Sequence, residues 1–340
     1  MNSRPAVPAG LLALVVAALL AAPSTALGQA RPADSSTAAA EKTSPAPRTA
    51  WGDPDLQGTY TIKTITPLQR PAQFADKAFL TPEEVAEFEK AAASAIGADS
   101  REGAGTDADV SRAYNEFWWD RGTQVAGLRT SLIVDPPNGR LPPLTPEAIE
   151  RNRFETTRWA FRSAGAAQGR GTDSWLDRSL FERCITRAMP GSMLPTAYNN
   201  TYRIVQTPGY VAIQIEMFPH VRLIPVAERR ELGDNVRLWL GDSRGHWEGD
   251  TLVVETDHFT DKASYQGSAE NMRIVERFTR VNDEAIDYQL TVEDPTTFTA
   301  PWTAAVPMTR TDEDLYEYAC HEGNYGLEGI LSAARSAERE

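Results

Sequence analysis

Tyr202–Met217 reads YRIVQTPGYVAIQIEM, two apolar runs on either side of Pro208-Gly209. Val211, Ile213, Ile215 and Met217 fall on every second residue, the period of a strand with one buried face, and Pro-Gly between two such runs is hairpin punctuation. The pattern recurs downstream in NVRLWLGD (Asn235–Asp242), TLVVET (Thr251–Thr256), NMRIVERFTRV (Asn271–Val281), AIDYQLTVEDP (Ala285–Pro295) and DLYEYAC (Asp314–Cys320). Each run is bounded by turn residues and none is separated from the next by a helical pattern. This predicts a mainly β fold, an antiparallel meander or lipocalin-like barrel, because closure removes the unpaired edges of an open sheet. Within GDSRGHWEGDTLVVET (Gly241–Thr256) the expected order is a strand ending at Leu240, a loop over Gly241–Gly245, and a tight turn at Glu248-Gly249-Asp250.

Upstream the pattern is mixed, so the fold carries an α-rich N-terminal decoration. Tyr60–Ile65 reads as a strand. LTPEEVAEFEKAAASA predicts a helix with Thr81 as its cap, Pro82 at the first helical position and Glu83 and Glu84 at the positive end of the dipole. RTSLIVDPPNG and the following LTPEAIE predict a strand, a turn and a second helix capped by Thr145. The chain thus divides into residues 51–198, a mixed α/β region, and residues 199–340, an antiparallel barrel-like region ending in a helix. Ahead of both, Met1–Gly28 has one Arg, an apolar run from Leu11 to Ala22 and small residues near its end, the pattern of a secretory signal peptide. Residues 29–50, rich in Ala, Pro, Ser and Thr, read as a disordered linker.

The formal charge is −13, which argues against nucleic acid or an anionic membrane surface as the main partner; nothing after the signal segment resembles a second membrane segment, and a periplasmic or secreted protein is expected. Cys184 and Cys320 are the two cysteines, and in an exported chain an even pair reads as a disulfide. The four histidines, His220, His246, His258 and His321, lack the short spacings of zinc sites. No phosphate loop, dinucleotide fingerprint or Ser nucleophile elbow is present, so neither a metal nor a cofactor is expected.

RCITRAMPGSMLPTAYNNTYRIVQTPGYV, GDSRGHWEGDTLVVET, TVEDPTTFTAPW and YEYACHEGNYGLEGILSAAR together resemble a large group of exported bacterial proteins, many from soil and water organisms, to which no activity is attached. The resemblance spans roughly Trp51 to Arg335. It implies a shared fold or pocket and no reaction. Asp257-His258 stands where members of that group often carry Thr-Asn, which weakens His258 as a shared functional residue.

The candidate site residues follow from the pattern. Glu276 falls on the apolar face shared by Met272, Ile274 and Phe278, so it is either paired with an Arg or a functional acid with a raised pKa. His321 and Glu322 lie beside the half-cystine at 320 where a strand is expected to end, which suits a pinned acid-base pair with Glu276 as a further partner. Arg222 or Arg244 would stabilise negative charge, with Asp242 positioning the latter. His220, Arg222, Trp239, Trp247 and Tyr318 are expected to contact a small-molecule ligand, hydrophobic or aromatic. Glu216, opposite Val211 and Ile213, is expected on a solvated face. The first reading is therefore a cofactor-independent enzyme doing acid-base chemistry, such as a lyase, isomerase or hydrolase. Its rival is a non-catalytic binding protein, and a third class, an envelope or carbohydrate-binding module, would carry its aromatics on an exposed strip. Oligomeric state is left open.

Overall fold

In the computed structural model, the residues described are 47–74, 76–94, 120–151, 172–227, 232–262 and 265–339. The segments expected to be a signal peptide and a linker lie outside them up to residue 46. In chain order the elements are β1 (Gly58–Thr61), α1 (Pro82–Ser94), β2 (Ile133–Asp135), β3 (Thr201–Thr207), β4 (Tyr210–Ile215), β5 (His220–Pro225), β6 (Asp242–Glu248), β7 (Thr251–Asp257), β8 (Arg273–Arg280), β9 (Ala285–Glu293), β10 (Trp302–Ala305), β11 (Met308–Arg310) and α2 (Tyr325–Ala337).

The strands form one antiparallel sheet in the order β5-β4-β3-β1-β11-β9-β8-β7-β6, with β10 pairing β9 and β2 at the side. Alternation builds it as expected: β9 buries every second residue, Ile286, Tyr288, Leu290 and Val292. Thr207 and Tyr210 are opposed across Pro208-Gly209, with Gly209 at φ +82°, the positive angle a type II turn requires. The Gly249-Asp250 turn between β6 and β7 is likewise as expected. The sheet is mainly β and nearly closed, and its ends meet through side chains. A Cβ on Gly245 of β6 would stand 3.0 Å from Ile224 and 3.1 Å from Val226, so only glycine lets the β6 backbone lie against β5 and the residue after it.

Three strand expectations fail. Gly241–Gly245 is largely strand rather than loop, because β6 pairs with β7 along its whole length from Asp242↔Asp257 to Glu248↔Thr251. Asn235–Leu240, expected as a strand, makes a single bridge, Leu238↔Phe259, and leaves Val236, Leu238 and Trp239 exposed. Asp314–Cys320 is an irregular strap, whose Tyr316 N–H donates to the Glu216 carboxylate at 3.1 Å instead of to a strand. In addition β1, from the N-terminal region, sits between β3 and β11 and so belongs to the sheet of the C-terminal region.

Candidate functional site at the barrel mouth

The site is built from the end of the sheet where β3 begins, β4 ends and β5 begins. Three segments cover it: a plug over Phe181–Leu194, the turn Glu216–Pro219 and the strap with the start of α2. Cys184 and Cys320 form a disulfide with Cα atoms 5.6 Å apart, joining plug to strap. Asn324 adds to the joint, donating to the Glu182 carbonyl at 2.7 Å while its Oδ1 caps α2 at Leu327 N–H. Glu216 is a correction to the sequence reading: it is buried, and its two oxygens accept from Thr201 N–H and Tyr316 N–H, both at 3.1 Å. The turn that ends β4 rotates this carboxylate inward, which strand alternation does not foresee.

Four non-glycine residues here have positive φ: Cys184, Ala188, Asn199 and Phe218. For a bulky residue such as Phe218 that conformation is strained, and strain of this kind gathers at binding and catalytic sites. Around the strained turn the rings form a cluster. Phe218 meets Phe181 at 5.3 Å and Tyr318 at 5.0 Å between centroids, and Tyr318 stacks on Tyr198 at 6.2 Å. Of these rings Phe181, Tyr198 and Tyr318 wall a groove of about 930 Å³, whose lining also includes the carboxylates of Asp120, Glu182, Glu216 and Glu317 and the apolar Leu327 and Ile330. A second hollow of about 570 Å³ lies across the start of α2, lined by Trp175, Arg183, Ile185 and His321.

Beneath the mouth lies a closed polar cluster. Arg222 on β5 grips Glu276 on β8 with two N–H groups, one at 2.9 Å to Oε1, and also donates to Ser243 at 3.1 Å and Thr256 at 3.3 Å. Tyr288 O–H donates to the same Glu276 oxygen at 2.8 Å. Burial opposes the Arg222 charge, and the Glu276 carboxylate outweighs it, so the guanidinium is held above its ordinary value. Burial and Glu276 together push the Tyr288 phenol well up. The carboxylate on the apolar face is therefore paired, across the barrel interior rather than with an adjacent strand.

The other expected residues divide by location. His220 and Tyr318 are at the mouth, and Arg222 lies just below it. His220 is half-buried, burial holds its imidazolium below the ordinary value, and its Nε2 is buried without a hydrogen-bond partner among the described residues. His321 and Glu322 are exposed on the turn before α2, and Glu276 is engaged with Arg222 and Tyr288, so the structure does not assemble the expected triad. Arg244 faces outward and pairs with Asp257 at 2.6 Å, which also holds His258 Nδ1 at 2.6 Å; Asp242 is opposite Asp257 in register. Trp239 is exposed in the loop before β6 and Trp247 is packed against the core, so neither walls the groove. No group of three or more His, Cys, Asp or Glu among the described residues is placed to hold a metal.

Sequence reasoning missed Glu216, Asn324, Phe181 and Tyr198. The one signal was the crowding of a half-cystine with Pro190-Gly191 in the plug.

Fold and site together define a class: a barrel-like antiparallel β protein whose mouth is plugged by a disulfide-anchored segment and edged by an aromatic groove. Beyond that class, the chain matches no protein-family model, no curated protein and no solved structure.

Proposed function

We propose that this is an exported, non-catalytic binding protein that takes a hydrophobic or aromatic small molecule into the groove at the barrel mouth. The observation that carries the reading is the groove itself, about 930 Å³ of space walled by Phe181, Tyr198 and Tyr318, in the size range of small-molecule sites. Export is supported by the Cys184–Cys320 disulfide and by the resemblance of the long motifs to exported bacterial proteins. Among the described residues no helix is long and apolar enough to cross a membrane. The interior pair Arg222–Glu276 favours binding over catalysis, since both charged groups are already engaged by the protein.

The test is a titration with a neutral, environment-sensitive apolar dye. Saturable binding of one dye per chain is expected, weakened about tenfold or more by Tyr318→Ala, as loss of a stacking ring implies. A dye that binds without saturation, or equally well to Tyr318→Ala, sinks the reading.

One observation favours the catalytic alternative, and it concerns His220 rather than His321. Burial favours the neutral ring, and Nε2, left without a partner among the described residues, is the atom that could accept a proton. A metabolite from culture extract that wild type consumes and His220→Gln leaves intact would establish this reading instead.

A further inference from the structure

Four separate segments bring a carboxylate to the groove at the mouth: Asp120 upstream of β2, Glu182 in the plug, Glu216 in the turn after β4 and Glu317 in the strap. Among the described residues no lysine, arginine or histidine lines it. Two of the four acids are matched from outside the lining, Asp120 by Lys63 at 2.8 Å and Glu182 by Arg178. The other two are not. Glu216 is only 5% exposed, and its oxygens accept from the Thr201 and Tyr316 N–H groups, with no cation reaching it among the described residues. A backbone N–H satisfies a lone pair but brings no net charge, so negative charge stays uncompensated at the groove wall. Glu317 is exposed and forms no ion pair with any described residue. It directly follows Tyr316, whose N–H holds Glu216, so the two unmatched acids flank one point of the strap. The rings of Tyr198 and Tyr318, stacked at 6.2 Å, wall the same space, and an aromatic face is its negative side.

We infer that the ligand of the groove is an organic cation, an ammonium group on an aromatic or apolar body, with the body against Phe181, Tyr198 and Tyr318 and the charge beside Glu216 and Glu317. This deepens the binding reading above and rests on it. The cavity and its rings set the size and apolar character of the guest, and the carboxylates set its charge. An anion would meet four acids and no cation in the lining, while a neutral guest would leave Glu216 uncompensated. A cation gains twice, by attraction to the carboxylates and by contact with the ring faces. Glu216 lies out of solvent, where salt screens little, and Glu317 lies in it, where salt screens strongly. The formal charge of −13 on the chain adds a long-range field that draws the same sign of ligand.

The experiment uses the oxidised protein and three probes that share one aromatic body, 2-naphthylmethylamine, 2-naphthylmethanol and 2-naphthoic acid, titrated by calorimetry near neutral pH, where the amine is charged. Wild type is expected to bind the ammonium about tenfold or more tightly than the alcohol, and the acid more weakly than either. Glu317→Gln, a change to an exposed side chain, should weaken ammonium binding about threefold and leave the alcohol unaffected. Glu216→Gln/Glu317→Gln should bring the two level; should that variant lose the alcohol too, because Glu216 also holds the strap, Glu317→Gln and the salt series decide. Raising the salt from about 0.05 M to about 0.5 M should weaken the ammonium and not the alcohol. Glu147→Gln removes an exposed carboxylate that does not line the groove, and it should keep the full preference. Alcohol binding reports on the groove alone. If ammonium and alcohol bind wild type equally, if the acid binds best, if Glu317→Gln and high salt leave the preference whole, or if Glu147→Gln erodes it as much as Glu317→Gln, the selection for a cation is overturned and the groove stands. If no probe binds wild type, the groove reading falls and this one with it.

Discussion

Arg222 and Glu276 are nearly inaccessible to solvent, and each is held by more than the other: Ser243 and Thr256 serve the guanidinium, Tyr288 the carboxylate. Removing one partner strands a buried charge, so Glu276→Gln and Arg222→Met should each cost about 3–5 kcal/mol. The double variant Arg222→Met/Glu276→Leu should recover much of that, and urea denaturation of all three distinguishes a stranded charge from lost packing. If the double variant is as unstable as the sum of the singles, the pair is not the unit argued here. His220 gives a pH signature. Burial pushes its imidazolium below the ordinary 6.5, against a smaller upward pull from the Ile185 carbonyl. The unfolded chain therefore takes up this proton at higher pH than the folded one. Its contribution to stability is complete above 6.5 and lost as the pH falls from there through the folded value. Carboxylates titrate lower, so between about pH 7.5 and about pH 5.5 wild type should lose stability more steeply than His220→Gln. Parallel curves would remove His220 from the account.

The strands were legible wherever period-two alternation met a turn signal, as in β3, β4, β8 and β9, because burying one face of a sheet writes that period into the chain. It failed at β6, where Asp242, Ser243 and Gly245 read as loop chemistry. Their reasons are tertiary: Ser243 serves Arg222, and Gly245 makes room for β5. Filling that room is a direct test, and Gly245→Val should destabilise by about 1–3 kcal/mol, read as a lower melting temperature, as overpacking does. An unchanged melting temperature would mean that the β5–β6 seam is loose. The opposite failure, Asp314–Cys320, has strand alternation but no strand beside it, and its anchors are a buried carboxylate and a disulfide. That disulfide spans 136 residues, and cutting it in the Cys184→Ser/Cys320→Ser variant should cost about 4–5 kcal/mol by chain entropy. The same variant should lose dye binding at a denaturant concentration where the sheet signal is intact, because the strap carries Tyr318 and the sheet does not need it. Loss of both signals together would make the strap part of the barrel's cooperative unit.

At the scale of the whole molecule, the division at residue 199 suggested by composition meets a sheet that ignores it. β1 supplies both missing neighbours at once: Gly58–Thr61 pairs with Ile204–Thr201, while Tyr60 and Thr61 pair with Arg310 and Thr309. Tyr60 is fully buried in the core, where it is opposite Tyr202. Tyr60–Ile65 reads as a strand in the sequence and the strand stands two residues earlier, at Gly58–Thr61, but nothing local in so short a run names its partners. The consequence is that the barrel-like region is incomplete alone. A fragment of residues 199–340 would expose the β3 and β11 edges, leave an apolar gap where Tyr60 sits, and lack the plug with Cys184. Unpaired apolar edges recruit other chains, so the fragment is expected to run as aggregates on gel filtration and to melt without a cooperative transition. The chain from residue 47 to 340 should be free of such aggregates and unfold cooperatively. If 199–340 alone proves monomeric and cooperative, β1 is an accessory to a self-sufficient barrel, and the mouth, built from plug and strap on opposite sides of residue 199, is an addition to a finished fold rather than a part of it.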